Sequence, residues 1–289
     1  MSGDPRPIGM FDSGFGGLTV ARAVIDLLPD ESLVYVGDTA RYPYGPRRLD
    51  EVRDFAHEIA GYLVDEHDVK LLVVACNTAA AAALDELQAK LTIPVIGVID
   101  PGTRALVSAT ETGRVGVIGT VGTIASGAYL RAVAASGAEV ELTCAACPGF
   151  VEFVEQGETR SDQVHVLAER LLAPVRDAGV DTLLLGCTHY PYLARTITDV
   201  MGPDVVLVSS ADETAFEVRA LLAASGGARP SAEADADADA DVDAADPVPP
   251  AVHRFIASGD PHHFRELGHR LLGPELEHAE RVRWPERRD

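Results

Sequence analysis

Leu71-Leu72-Val73-Val74-Ala75-Cys76-Asn77-Thr78 is the stretch that decides the fold. An unbroken apolar run this short reads as a strand buried on both faces, because a strand with one wet face would alternate polar and apolar residues. Strands of that kind belong to parallel sheets covered by helices. The run ends in Cys76, and Asn77-Thr78 opens the next helix. The same order returns at Leu185-Gly186-Cys187-Thr188-His189, after a second apolar run over residues 181–185.

Working outward, strand and helix alternate. Residues 8–11 form a short apolar strand that ends in the Gly-rich turn Asp12 to Gly17. Leu18, Ala21, Val24, Ile25 and Leu28 then fall at helical spacing, and Pro29 stops the helix. Strands are expected at 33–36, 93–99, 115–118 and 205–208, and helices at 51–67, 124–135, from Pro191 onward, and up to about residue 224. Cys147-Pro148 is expected to open a further helix running to Gln156. Residues 252–257 and 264–272 read as one more strand and helix that return to the first lobe.

A weak internal repeat organises these elements. Strand, turn and helix occur at Phe11-Asp12-Ser13-Gly14 and again at Ile118-Gly119-Thr120. Asp12 and Cys76 lie 64 residues apart, and Thr120 and Cys187 lie 67 apart. Two related lobes are therefore expected, facing each other with their cysteine turns opposed. The division falls near Gly97 to Gly102, giving 1–98 plus 212–289 as one lobe and 99–211 as the other. Residues 226–250, with an Ala-Asp ladder from Glu233 to Asp246, read as a disordered acidic insertion.

Bulk composition narrows the function classes. A net charge of −21 argues against nucleic acid or an anionic membrane as partner. No apolar stretch reaches the length of a membrane span, and the N-terminus lacks a signal pattern, so the chain reads as cytoplasmic. Four cysteines, at 76, 144, 147 and 187, do not make a disulfide scaffold. Cys144 and Cys147 form a C-x-x-C pair with no second pair to complete a zinc site. No metal and no cofactor are expected.

Cys76 and Cys187 each stand where an apolar strand meets a helix, at the sheet edge where open α/β folds bind ligands. A helix N-terminus is expected to lower a thiol's pKa there. A lone cysteine of this kind is usually a small buried hydrophobe. Two in matching turns suit a reaction that inverts a carbon centre, taking a proton from one face and returning one on the other. His189 and Asp12 are candidate assistants in proton transfer. His189 read alone is as well explained by a water-exposed helix start, and Asp12 by a helix cap. Ser13, Asn77, Thr78, Thr120 and Thr188 stand at helix starts, where hydroxyls, amides and backbone N–H groups receive carboxylates. The turn Tyr42-Pro43-Tyr44-Gly45 offers Tyr44 and Gly45 to close over a ligand.

Phe11 to Val20, Val36 to Gly45, Ala75-Cys76-Asn77-Thr78-Ala79, Gly186-Cys187-Thr188-His189-Tyr190-Pro191 and Ser258-Gly259-Asp260-Pro261 together resemble the glutamate racemases of the aspartate/glutamate racemase family. The resemblance covers nearly the whole chain. It implies two pseudo-symmetric flavodoxin-like α/β lobes, parallel sheets flanked by helices, and an active site between the lobes. It implies a cofactor-independent isomerase that interconverts L- and D-glutamate and supplies D-glutamate for peptidoglycan. By the same resemblance Cys76 takes the proton of the D-isomer and Cys187 that of the L-isomer. Asp12 and His189 assist, and Asp12, Ser13, Tyr44, Gly45, Asn77, Thr78, Thr120, Thr188 and His189 line the substrate. The expected partner is glutamate, with neither nucleic acid nor membrane; the sequence leaves open assembly as a homodimer. Ser209 departs from the family's usual Asp, and the 226–250 insertion is not typical of it.

Three rivals compete. A pyridoxal-phosphate racemase needs a Schiff-base lysine, and the only lysines are Lys70, before a buried strand, and Lys90, late in a helix. A nicotinamide dehydrogenase is imitated by the first strand-turn-helix-strand unit with Asp38 at its end, but the turn reads Asp-Ser-Gly-Phe-Gly-Gly rather than G-x-G-x-x-G. A non-enzymatic amino-acid sensor on the same lobes leaves the twin cysteines unexplained.

Overall fold

The computed structural model describes residues 3–230 and 250–284. The Ala-Asp ladder at 233–246 therefore lies outside the described residues. In the first half, β1 (Ile8–Asp12), α1 (Leu18–Leu27), β2 (Leu33–Gly37), α2 (Leu49–His67), β3 (Leu71–Val74), α3 (Asn77–Lys90) and β4 (Val95–Gly97) alternate as expected. There follow α4 (Ile99–Ala109), β5 (Arg114–Gly119), α5 (Val121–Ala125), α6 (Ala128–Ser136), β6 (Glu141–Ala146), α7 (Phe150–Glu155), α8 (Asp162–Asp177) and β7 (Thr182–Gly186). A 3-10 turn, Tyr190–Leu193, leads into α9 (Ala194–Met201), β8 (Val206–Val208) and α10 (Ala211–Ser225). After the undescribed stretch come β9 (His253–Ala257), α11 (Pro261–Leu272) and β10 (Glu280–Arg281).

The strands build two parallel sheets, ordered β10-β9-β2-β1-β3-β4 and β6-β5-β7-β8. Each contains the same 2-1-3-4 core, which is the flavodoxin-like winding. The twofold pattern in the sequence thus reflects two copies of one topology. Every residue of β1, β2, β3 and β7 is buried, as expected of strands covered on both faces. β9 joins the first sheet by pairing with β2. Among the described residues no helix is long and apolar enough to cross a membrane.

Several sequence expectations need correction. The strand expected over 93–99 is only Val95–Gly97, because Ile99 already begins a helix that contains Pro101 in its first turn. The helix expected from Pro191 starts instead as a 3-10 turn, with the α-helix following at Ala194. The helix expected from Cys147-Pro148 begins at Phe150, because its N-cap Gly149 adopts φ 94°, a conformation that ends the preceding loop. Ser209, the departure noted above, accepts the Ala211 backbone N–H at 3.3 Å and so helps to start α10.

Lys70 anchors the edge of the first sheet opposite the cysteine turns. Its ammonium is buried against Glu31 Oε2 at 2.6 Å and donates to the carbonyls of Asp4 and Gly227 at 2.8 Å each. That makes it a structural lysine rather than a Schiff-base one, and Lys90 is exposed on the end of α3. Lys70→Met is expected to lower the unfolding free energy by about 3–5 kcal/mol, because it strands the buried Glu31 carboxylate. Urea melts would measure this; a loss within experimental scatter would contradict the assignment.

Candidate active site

β1 and β3 are neighbours, and the chain leaves them toward α1 and α3, on which side Asp12 and Cys76 sit. In the second lobe β5 and β7 are neighbours, and Thr120 and Cys187 follow their ends. In both sheets this is the crevice at the carboxyl ends of the strands where the winding order reverses. The two crevices face each other across one narrow cleft. Its walls include Cys76 and Cys187, with Ser13, Tyr44, Gly45, Asn77, Thr78, Thr120, Thr188 and His189. Tyr42, Pro43 and Val151 line it too.

Asp12 is the one expected site residue that does not line the cleft. It is fully buried one layer behind, where Oδ2 accepts the N–H groups of Gly14 and Gly17 at 3.1 Å each. Its other oxygen faces Thr188 Oγ1 across the lobes at 3.5 Å. Asp12 therefore organises the glycine turn and the N-terminus of α1 while keeping a negative charge beside both sulfurs.

That charge and burial set the state of the thiols. Burial pushes the Cys76 thiol up to about 12, and the Asp12 carboxylate adds to the rise. Hydrogen bonds from Ala79 N–H and from the Ser13 backbone and hydroxyl oppose it by less. Burial likewise raises Cys187 well above the ordinary thiol value against the His189 backbone N–H, and the charges of Cys76 and Asp12 push the same way. The lowering expected from the helix N-terminus is present at Cys76 but loses to desolvation. Both buried sulfurs favour the thiol.

His189 is buried rather than exposed to water. Its Nε2 lies 2.9 Å from Glu155 Oε1 at the end of α7, and its Nδ1 lies 3.5 Å from Thr188 Oγ1. Phe15 from the first lobe packs edge-on against the ring at 5.0 Å, and Tyr42 lies at 5.8 Å. Glu155 was not legible in the sequence: it sits 34 positions from its partner and carries no local mark. A hydroxyl trio joins Thr78 to Thr120 at 3.0 Å, Thr78 to Thr123 at 3.2 Å and Thr120 to Thr123 at 2.9 Å. It ties the lobes together beside the cleft, and Thr123 is a second residue the motifs did not flag. Asn77 donates to Tyr129 Oη at 2.8 Å, and its buried Oδ1 has no hydrogen-bond partner among the described residues.

Tyr44 lines the cleft, and its hydroxyl donates to Asp38. Asp38 is thereby withdrawn from any ribose-binding role: Arg41, Ser258 and Trp284 donate to it as well. Cys144 lies half-buried on β6 and Cys147 is buried just beyond it, and among the described residues no group of three metal-binding side chains forms.

Burial also pushes the Cys147 thiol up to about 12 from an ordinary 9.0. The folded chain holds this proton more tightly than the unfolded chain does. The associated stability is therefore complete below about pH 9 and is lost as pH rises toward about 12. The unfolding free energy should fall across that window, and Cys147→Ala should flatten the fall. An identical slope in the variant, measured by urea melts at stepped pH, would contradict the assignment.

Fold and site define a two-lobed α/β enzyme with a cysteine from each lobe on a shared small-molecule cleft. The chain belongs to the Asp/Glu/Hydantoin racemase family, whose sequence pattern matches residues 18–218, and is an isomerase. Within that family it stands with the glutamate racemases. It is 52% identical over 273 residues to the glutamate racemase of Acidothermus cellulolyticus, covering 94% of this chain and 97% of that protein. A glutamate racemase isoform of Bacillus anthracis superposes with a TM-score of 0.86 at 40% identity, covering 98% of this chain and 99% of that one. The Francisella tularensis glutamate racemase, crystallised in complex with D-glutamate, gives a TM-score of 0.84 at 32% identity, covering 96% and 98%.

Proposed function

We propose that this chain interconverts L- and D-glutamate by moving the α-proton between Cys76 and Cys187, without a cofactor, and so supplies D-glutamate for peptidoglycan. The observation that carries the reading is the equivalence of the two sulfurs: each follows the third strand of its lobe's 2-1-3-4 core, and both line the same cleft. A substrate carbon held between them has one sulfur on each face.

The chemistry balances with two thiols alone. One sulfur, as thiolate, takes the α-proton from its side. The carbanion then takes a proton from the opposite thiol, which leaves the enantiomer and the two sulfurs with exchanged protonation states. Proton exchange with solvent restores the starting form. The substrate ammonium brings a positive charge beside Cys76 and Cys187, whose proton affinity the Asp12 charge otherwise raises. Substrate binding thus favours the thiolate that burial and the Asp12 charge disfavour. The N–H groups at the start of α3, with the side chains of Asn77, Thr78, Thr120 and Thr188, receive the carboxylates. His189, held by Glu155, sits next to the Cys187 turn as a proton-handling group for that side.

The test is direct. L-glutamate incubated with the purified chain in buffer free of pyridoxal phosphate should lose its circular dichroism completely, and D-glutamate should do so with the opposite sign. Persistence of the signal at micromolar enzyme would refute the reading.

A further inference from the structure

Trp284 is the chain's only tryptophan, and the mechanism above makes no use of it. Its indole N–H donates to Asp38 Oδ1 at 2.7 Å, although the two residues are 246 positions apart. Asp38 is completely buried just beyond β2. The same carboxylate accepts Ser258 Oγ at 2.7 Å, Arg41 Nε at 2.7 Å and the Tyr44 hydroxyl. The Arg41 guanidinium is layered between two rings, 4.2 Å from the centroid of Phe55 and 4.8 Å from that of Trp284. Three segments, 38–44 and the stretches that carry Ser258 and Trp284, thus converge on one carboxylate.

Two of those segments come from the end of the chain. β10 pairs with β9, and Val282 N–H donates to the Ala257 carbonyl at 3.0 Å, which lays the tail along the sheet edge and delivers Trp284 onto Arg41. The other side of the hub is the loop that lines the cleft. Tyr44 is held by Asp38, and the next residue, Gly45, accepts Gly122 N–H at 3.0 Å from the opposite lobe. A side chain at Gly45 would meet Thr120 Cβ at 2.8 Å, so the backbone there sits against the cleft wall with no slack.

From this geometry we infer that Trp284 is a positioning residue: through Asp38 it latches the Tyr44-Gly45 loop in the conformation that completes the substrate cleft. The inference rests on the proposed function for its kinetic arm. A hydrogen-bonded indole donor and a cation–π layer on a buried carboxylate hub together restrict the loop more than either does alone. Loosening the loop costs substrate contacts, while the two sulfurs, which stand on other elements, keep their places.

Trp284→Phe keeps a ring over Arg41 and removes only the N–H donor. KM for D-glutamate should rise about tenfold with kcat within about twofold of the unmodified chain. Simple loss of folded molecules would do the reverse, lowering kcat at unchanged KM. An unaltered KM, or that reverse pattern, overturns the latch. A second arm needs no turnover. In Asp38→Asn, the amide presents N–H groups to the incoming donors, so the emission of Trp284 should move to longer wavelength and acrylamide should quench it more readily. Emission and quenching identical to the unmodified chain overturn the latch independently of activity. Failure of the unmodified chain to invert glutamate would instead sink the proposed function, leaving the fluorescence arm to decide the latch.

Discussion

Cys76→Ala and Cys187→Ala should each lower glutamate inversion by about 10³-fold or more, because each removes one of two groups that must act on opposite faces of a single carbon. Neither change should unfold the chain, since each removes a single sulfur from a side chain that lines the cleft. The informative measurement is hydrogen exchange in deuterated water. Cys187→Ala retains the sulfur assigned to the D-isomer, so D-glutamate should acquire deuterium at its α-carbon while keeping its configuration. L-glutamate should stay unlabelled. Cys76→Ala should give the mirror result, labelling only the L-isomer.

The rate of that labelling is limited by how fast a buried thiol trades its proton with solvent, so it will be slow compared with normal turnover. Its stereochemistry is what carries the argument. Labelling of the opposite enantiomer would exchange the roles of the two sulfurs, and labelling of both by one variant would show that the remaining sulfur reaches both faces. A Cys76→Ala chain that still inverts glutamate would falsify the two-thiol assignment.

Much of this was legible in the sequence because it depends on local pattern. The doubly buried strands at 71–74 and 182–186 announce themselves as apolar runs, and their terminal cysteines mark the same edge of each sheet. β6 was not legible, because its residues Glu141 to Ala146 are mostly half-exposed and lack an apolar run. The parts of the site that escaped depend on long-range packing. Nothing near Glu155 says that it meets His189, and nothing near Trp284 says that it meets Asp38. The thiol state was misread for a related reason. A helix start is a local feature, whereas the desolvation that overrides it arises only when two lobes close over both sulfurs. Asp12 was readable as a cap, as a ligand group or as both; that it sits behind the cleft and accepts the Gly14 and Gly17 N–H groups is set by packing.

Gly16→Ala is expected to lower kcat/KM about a hundredfold by moving His189 and Thr188 with a single methyl group. A Cβ built at Gly16 would stand 2.5 Å from Thr188 Oγ1 and 2.6 Å from His189 Nδ1, distances at which something must shift. Retreat is blocked on the far side, because His189 is tied to Glu155 at 2.9 Å and wedged beside Phe15 and Tyr42. Gly16 belongs to the first lobe and both contacts to the second, so the methyl also pries the lobes apart at the cleft. Enantiomers have equal free energy, hence kcat/KM must fall by the same factor for L- and D-glutamate, and unequal falls would expose an assay fault. Gly61→Ala supplies the control. Its new Cβ would have nothing closer than Asp65 Oδ2 at 4.0 Å, and inside α2 it should stabilise the chain by about 0.5–1 kcal/mol without touching catalysis. Equal activity in the two variants would mean that the glycine turn is not what seats His189, and that the contact across the lobes is incidental to turnover.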